Sequence, residues 1–477
     1  MMDLNAFCQG PTNFLISKLS RSLLSGLFRM LFVSVLASAQ ALGIESFEST
    51  NRADRASKIS SGTTYLNLEQ AISEGAVNSP KIEVARSASE EARWKKRESL
   101  SGFLPNVTLV GTDITSQNYM VSNFTMPTLG TMTIANVVPS WNYTLSAQLP
   151  IFDGFASTNN YRAASSGEEA VANDYSWTQF KVEKEITLQF FKALGSQILK
   201  DVAEQNLKTI EDHLRDVLLF KKAGVSTNYD VLRVEVQVSE AKSEVMNAQD
   251  NSEIAKQKLA EILGEEREIR ALNGDLPVLK ADRIRATNLD SFRQRSDLLS
   301  LEKKKESLEF SETAASRFWS PKISLFGNYS YYNNINTNFP DSAAFRDAYQ
   351  VGVTLTWNLF DGMLSISRSK ESVERRYQAE KSLRMARLAA MNDFEMWKRK
   401  YLYYCNVYQS RVGDVDKSSE SVRLAREGHR VGARTNTDIL DAESELFRAR
   451  AGVINAQIGA IEALINLELA TGQRLLK

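Results

Sequence analysis

Histidine is almost missing from this sequence, and its scarcity excludes most kinds of catalytic or metal site. The chain has two histidines, His213 and His429, and no Ser-His-Asp, zinc-ligand or phosphate-loop spacing occurs. Acidic pairs on helices are usually solvated surface residues, so they do not restore a catalytic hypothesis. We therefore expect no enzyme activity, no bound metal and no cofactor.

An excess of charge is also missing. The chain has 58 basic and 58 acidic residues, which gives no reason to expect a nucleic-acid partner. The basic tracts at residues 93–97 and 303–305 are interleaved with acidic residues, so we interpret both as solvated helix faces.

Long apolar runs are few. One run, residues 30–36, follows Arg29 and precedes Ala-Ser-Ala, which predicts a secretory signal peptide over residues 1–39. Its removal would leave Cys405 as the only cysteine and exclude an intrachain disulfide. We expect no other stretch to be apolar and long enough for a transmembrane helix, so a membrane would have to be crossed by strands.

Two motifs occur twice in the chain, 208 positions apart. They are Phe152-Asp153-Gly154 with Phe360-Asp361-Gly362, and Ala223-Gly224-Val225 with Val431-Gly432-Ala433. A constant spacing means that no residue was gained or lost between the motifs. A rod whose length matters for function requires a conserved number of residues in each copy, whereas a loop-rich enzyme domain does not.

The segments that follow each junction lack helix breakers. No proline lies between positions 150 and 277 or after 340, so Thr158 to Ala223 is predicted to be one helix about 100 Å long. Further on, apolar residues recur at alternating spacings of three and four, as in packed helix pairs. They are Val231, Val234, Val238, Ala241, Val245 and Ala248, then Ile439, Ala442, Leu446, Ala449, Val453 and Ala456. Each half is predicted to be a long helical hairpin that reverses at Gly224 or Gly432.

Upstream of each hairpin, alternating apolar and polar residues predict β-strands. The clearest apolar face consists of Tyr349, Val351, Val353, Leu355, Trp357 and Leu359. Three similar segments surround Val107, Tyr143 and Ile323, and polar loops at residues 119–138 and 333–346 separate the strands. The strand length of about ten residues and the aromatic ends are typical of strands that cross an outer membrane. Four strands cannot enclose a pore, so we expect several subunits to pool them.

These features together resemble the TolC-type outer-membrane factors, from about Leu66 to Lys477. The resemblance rests on the paired junction motifs, the paired tip motifs with the Asp-Val-Leu and Asp-Ile-Leu that follow, and the closing Ala-Thr-Gly. It implies an α+β membrane protein, the two-repeat protomer of a trimeric TolC-like duct. A twelve-stranded β-barrel, with four strands per chain, would continue into a long α-helical barrel with a mixed equatorial belt.

On this basis we predict five segments. They are the signal peptide (1–39), an N-terminal segment with the first belt helix (40–104), repeat 1 (105–264), linker and belt helices (265–320) and repeat 2 (321–477), each repeat having two strands and a hairpin.

The resemblance implies a passive gated channel in the bacterial outer membrane with a periplasmic extension. The homotrimer, surrounded by outer-membrane lipid, would bind a periplasmic membrane-fusion (adaptor) protein and an inner-membrane transporter. As part of a tripartite efflux pump or a type I secretion system, it would export small molecules or polypeptides. The alternative is an exported coiled-coil protein without a pore, which shares the rods but does not explain the amphipathic strands.

The resemblance also assigns residues to a periplasmic gate. Asp230, His429 and Arg434 occupy the positions whose bonds hold the gate closed, although the family usually has tyrosine where this chain has His429. Asp438 and Asp441 share one helix face and would form two lumen-facing carboxylate rings that favour cations.

Two further kinds of site concern backbone geometry. Gly224 and Gly432 are the predicted helix-tip turns. The predicted strand-to-helix junctions are Asp153-Gly154 and Asp361-Gly362.

Overall fold

The structure is a computed structural model that describes residues 65–115, 120–127, 130–136, 139–224, 226–265, 271–277, 284, 294–333 and 345–475. The predicted signal peptide at residues 1–39 lies outside these ranges, as do residues 334–344 of the second predicted loop.

The described chain combines short belt elements, strands and very long helices. In chain order they are β1 (Tyr65–Leu66), α1 (Leu68–Asn78), α2 (Pro80–Ser99), β2 (Asn106–Asp113), β3 (Met120–Met126), β4 (Gly130–Asn136), β5 (Trp141–Phe152), α3 (Ala156–Lys222), α4 (Asn228–Leu263), β6 (Ala271–Leu272), α5 (Ser296–Ser316), β7 (Lys322–Asn333), β8 (Phe345–Thr356), α6 (Leu364–Arg430) and α7 (Asn436–Thr471).

Two helical hairpins of equal dimensions form the largest part of this chain. Hairpin 1 consists of α3 and α4, and hairpin 2 of α6 and α7. The descending helices α3 and α6 each have 67 residues, about 100 Å at ~1.5 Å per residue, and the returning helices each have 36. Both helices of hairpin 2 begin and end 208 positions after those of hairpin 1. The predicted hairpins are therefore confirmed, including their equal length.

The tips reverse through glycine, as predicted. Gly224 has φ +76° and Gly432 has φ +73°, a left-handed conformation that is strained for residues with a Cβ atom. The predicted apolar stripes pack inside the hairpins, where Val234 and Ile439 are buried.

One antiparallel sheet contains the four long strands in the order β2, β5, β7, β8. Its register places Leu145 opposite both Leu109 and Tyr329 on one face. On the other face Thr144 lies opposite Ser330, with their hydroxyl oxygens 3.1 Å apart. The sheet therefore has an apolar face and a polar face, as the alternation predicted.

β2 and β8 are the outer strands of this sheet. In the part of the chain that the structure describes, no strand pairs with the outer edge of either one. Unpaired backbone groups are costly in lipid, so a sheet that lies in a membrane needs strands from other chains at both edges.

The structure differs from the sequence-based prediction in one strand boundary, one loop and one belt helix. β8 ends at Thr356 rather than at Leu359, and Trp357 beyond it donates its indole N–H to the carbonyl oxygen of Trp319 at 3.0 Å. The first predicted loop contains an antiparallel hairpin of β3 and β4. The single belt helix predicted before residue 104 is two helices, because Pro80 starts a new one at α2.

α7 is the one described helix that is long and apolar enough to span a membrane, with an 18-residue window of mean hydropathy 1.3. The expectation that no such segment follows the signal peptide was therefore wrong by this criterion. The window is 56% buried, since α7 packs against α3 and α6. Core helices commonly reach this apolarity, so the observation is weak evidence for a membrane span.

The largest buried cluster lies where α1, α3, α4 and α7 meet beside the parallel pair of β1 and β6. Next to it, the Lys184 ammonium lies 2.8 Å from a carboxylate oxygen of Glu468, and both side chains are buried. Glu468 also accepts the backbone N–H of Leu475. These bonds attach the C-terminal end of the described chain to the belt.

Candidate functional site at the hairpin tips

Both returning helices start with the same hydrogen-bonded capping box. In hairpin 1 the Thr227 hydroxyl accepts the N–H of Asp230 at 3.2 Å, while the Asp230 carboxylate accepts the N–H of Thr227 at 2.9 Å. In hairpin 2 the Asp438 carboxylate accepts the N–H and the hydroxyl of Thr435 at 2.7 and 2.8 Å. Each acidic residue thus closes its own tip turn. The Thr-x-x-Asp spacing was a sequence signal for this role.

These hydrogen bonds hold the pKa of both carboxyl groups below its usual range. For Asp230 the largest cause is the hydroxyl of Thr227, and for Asp438 it is the backbone N–H of Thr435. Both tips therefore carry a carboxylate at neutral pH.

His429 connects the two tips within one chain. Its ring packs against Phe220 of hairpin 1 with ring centroids 5.9 Å apart. Its charge also contributes to the lowered pKa of Asp230. The structure thus brings two of the three predicted gate residues together from different repeats.

Arg434 lies against its own hairpin. Its Nη1 is 3.9 Å from the Asp438 carboxylate, and its side chain covers Gly428, where an added Cβ would meet the Arg434 Cγ at 2.6 Å. Among the described residues of one chain, no ion pair joins Arg434 to Asp230. The predicted pairing of these two residues is therefore not made within the described part of one chain.

The two predicted ring residues have different surroundings. Asp438 engages Oδ2 in the capping box and turns Oδ1 towards Arg434, whereas Asp441 is exposed one turn further along α7. Their shared helix face follows from the spacing of three residues.

The strand-to-helix junctions repeat each other as closely as the tips do. The Asp153 carboxylate accepts the N–H and the hydroxyl of Ser157 at 2.7 and 2.5 Å, which caps α3. Gly154 and Phe155 are both left-handed, with φ +72° and +64°, and turn the strand sharply into the helix. The counterparts in repeat 2 are Asp361, Ser365, Gly362 and Met363.

Two polar contacts between the hairpins were not predicted. His213 Nε2 of α3 lies 2.5 Å from Asn436 Oδ1 at the start of α7, and Arg233 of α4 donates to the Thr437 hydroxyl at 2.9 Å. Leu440 of α7 belongs to the buried cluster of hairpin 1. The only sequence signal for these contacts was His213 within a predicted helix, and a histidine there does not indicate a partner in the other repeat.

A groove of about 440 Å³ lies between the hairpins near the tips. Its lining includes Arg423, Arg426 and Arg430 of α6, and Glu443 and Arg450 of α7. Glu443 is buried and lies 2.7 Å from Arg426. Glu427 also lines the groove, and Arg423 is ion-paired with it at 2.8 Å and with Glu420 at 2.6 Å. The excess positive charge of the groove therefore comes from Arg430 and Arg450.

The family model of outer membrane efflux proteins matches residues 71–265 and 291–473. This chain belongs to the outer membrane efflux protein family. It is 20% identical to the outer membrane protein TolC of Vibrio cholerae over 428 residues, which are 87% of this chain and 92% of that relative.

Solved structures of outer-membrane channels share the fold. The CmeC outer membrane channel of Campylobacter jejuni has a TM-score of 0.71 at 14% identity, covering 85% of each chain. The outer membrane protein VceC of Vibrio cholerae has a TM-score of 0.69 at 15% identity, covering 86% of this chain and 96% of that one. The predicted two-repeat, TolC-like α+β fold is confirmed.

As a member of the outer membrane efflux protein family, the chain is an outer-membrane efflux channel protein with a periplasmic extension. The family comprises transport proteins rather than enzymes. In the described ranges, no group of three or more His, Cys, Asp or Glu side chains is placed to hold a metal ion.

Proposed function

We propose that three copies of this chain form a passive, gated duct across the outer membrane. The observation that carries this proposal is the four-stranded sheet with one apolar face, one polar face and two open edges. Three such sheets supply twelve strands, which close every edge and enclose a water-filled lumen. The apolar face then contacts lipid and the polar face lines the channel.

The helical hairpins continue the duct into the periplasm. Six hairpins of equal length, two from each copy, form a tunnel whose far end is level. The equal 67-residue helices support this arrangement, because unequal hairpins would leave a gap at the mouth.

A periplasmic adaptor binds the basic groove between the hairpins and connects the duct to an inner-membrane transporter. The groove favours an acidic partner surface through Arg430 and Arg450. Both a tripartite efflux pump and a type I secretion system fit this arrangement, with small molecules or polypeptides as cargo.

The gate lies at the tips. Asp230 and His429 hold the hairpins of one chain together, and Arg434 reaches Asp230 of the neighbouring copy. An exposed ion pair contributes only about 0.2–1 kcal/mol, but three symmetric copies bias the same opening equilibrium. Asp438 and Asp441 form carboxylate rings at the mouth and favour cations.

Conductance in planar bilayers tests the gate. Arg434→Ser with His429→Phe should raise the single-channel conductance. Asp438→Asn with Asp441→Asn should leave the gate closed and lower cation selectivity. If both double variants conduct like the parent, the tip residues do not form a gate. A monomeric mass in detergent without channel activity would instead favour the coiled-coil protein without a pore.

A further inference from the structure

A polar cavity of about 490 Å³ lies in the belt, where α2 begins beside the end of α4. Its lining comes from the joint between α1 and α2, from α3 and from the last turns of α4. It includes Ser79, Lys81, Glu185, Lys258, Glu261 and Ile262. A cavity of this volume is large enough for a small molecule.

Ser79 brings an unsatisfied hydroxyl group to this cavity. The residue is 0% exposed, and its Oγ has no hydrogen-bond partner among the described residues. Ser79 is the N-cap of α2, but its side chain makes no capping bond. A buried hydroxyl group without a partner costs free energy. The cavity is therefore suited to a ligand that bonds this oxygen.

The charges of the lining do not by themselves define the ligand. Lys81 is neutralised by Glu185, whose two carboxylate oxygens lie 2.7 and 2.8 Å from its Nζ. Lys258 and Glu261 have opposite charges and lie three residues apart on α4. The start of α2 favours an anion and the end of α4 favours a cation.

Repeat 2 contains the same joint, formed by the start of α5 and the end of α7. α5 begins 216 positions after α2, and α7 ends 208 positions after α4. The counterpart of Ser79 is therefore Arg295, the N-cap of α5. In both joints the glycine that ends the returning helix packs closely. A Cβ added at Gly264 would lie 2.6 Å from the Asn78 carbonyl oxygen, and one at Gly472 would lie 3.0 Å from the Arg295 Cγ.

The guanidinium group of Arg295 fills the joint of repeat 2. Its Nη1 donates to the carbonyl oxygen of Ala470 at 3.2 Å, and its Nε and Nη2 donate to the Asp297 carboxylate at 3.0 and 2.7 Å. Its Cζ lies 4.9 Å from the ring centroid of Trp177. This joint therefore holds a cation between the two helix ends. In repeat 1 the short side chain of Ser79 leaves the equivalent space open.

We propose that the belt cavity binds the guanidinium group of a small molecule. The group donates to the carbonyl oxygen of Ile262, which is the repeat counterpart of Ala470 and belongs to the last turn of its helix. Glu261 supplies the carboxylate that Asp297 supplies in repeat 2, and the Ser79 hydroxyl accepts a further N–H. A guanidinium group has enough N–H donors for all three acceptors. The cavity lies within one chain, so the proposal does not depend on the proposed trimer.

Calorimetric titration of the full-length protein in detergent tests the proposal, with methylguanidinium as the probe. We expect one site per chain. Ser79→Arg should place the chain's own guanidinium group in the cavity and abolish binding. Glu261→Gln should weaken binding about tenfold, because it removes a charged acceptor. Lys258→Gln removes a like charge and should tighten binding about threefold.

Asp250→Asn is the matched control, since it also removes a carboxylate from α4 but lies outside the cavity lining. It should bind methylguanidinium like the parent. If Ser79→Arg also binds like the parent, the probe occupies another site and the inference is wrong. Binding of inorganic phosphate instead, weakened by Lys258→Gln and tightened by Glu261→Gln, would show an anion site and would also overturn the inference.

Arg295→Ser provides a second test, because it should open the equivalent cavity in repeat 2. The variant should unfold at a lower temperature, bind a second methylguanidinium and recover part of the lost thermal stability when the probe is added. Failure of this rescue would contradict the equivalence of the two joints, on which the inference depends. Rescue of the variant without any binding by the parent would show that the cavity of repeat 1 does not take this group.

Discussion

The apolar face of the sheet should tolerate arginine least at the middle of the membrane. Val351 lies near the centre of β8 and pairs with Gly327 on the apolar face. In the single chain its side chain is 53% exposed, so its replacement removes little packing and the cost reports contact with lipid. We expect Val351→Arg to destabilise the assembled barrel by about 2–4 kcal/mol.

The cost should decrease towards the end of the strand. Leu355 is about 13 Å further along β8 at ~3.3 Å per residue, which is about 10 Å along the barrel axis at a tilt of ~40°. The apolar band is about 25 Å tall, so Leu355 lies close to its edge. We expect Leu355→Arg to cost about 0–1 kcal/mol.

Gln350→Arg is the matched control, since Gln350 is adjacent to Val351 but pairs with Asn328 on the polar face. Urea unfolding of the protein refolded in lipid vesicles would measure the three free energies. Equal costs for Val351→Arg and Gln350→Arg would show that the faces were assigned wrongly. Equal costs at Val351 and Leu355 would contradict a strand that crosses the membrane.

Three other predictions concern the helical part. Removing seven residues from both helices of one hairpin should abolish export, whereas the same removal from both hairpins should leave folded trimers. Normal export by the variant with one shortened hairpin would contradict a continuous tunnel. Folding lowers the pKa of Asp230 and Asp438. The ionised capping boxes therefore stabilise the tips fully at a pH above the unfolded-state pKa of ~4, and this stabilisation is lost as the pH falls through the folded-state pKa. The protection factors of the tip amides, which correct exchange for its intrinsic pH dependence, should fall on acidification, and Asp230→Asn should remove this acid dependence in hairpin 1 alone. Protection factors that do not change with pH would disprove the capping role. Lys184→Met should cost about 3–5 kcal/mol by leaving Glu468 buried without its cation, and adding Glu468→Met should restore part of this loss; thermal unfolding that shows additive costs would refute the coupling.

Local sequence patterns predicted most of the fold. The apolar stripe through Val234, the glycine at each tip and the alternation around Val351 depend only on the spacing of nearby residues. Helix and strand periodicity are properties of the local backbone, so these elements could be assigned without knowing any partner. The constant spacing of 208 added the equal hairpin lengths.

The candidate site was predictable only in part. The Thr-x-x-Asp spacing indicates that Asp230 and Asp438 cap their helices, although the resemblance suggested two different roles for them. The contact of His429 with Phe220 was not predictable, because the two residues lie in different repeats.

The sequence by itself determined the lengths of the helical hairpins, the positions of their turns and the two faces of the strands. Each of these depends only on the spacing of residues along one element. Only the tertiary structure decided which face of each hairpin is covered. It buried Leu440 and left Leu232 exposed, although the two residues are the same type at equivalent repeat positions. The physical reason is that burial depends on which helix packs alongside, and among the described residues hairpin 1 has a neighbour on this face where hairpin 2 has none.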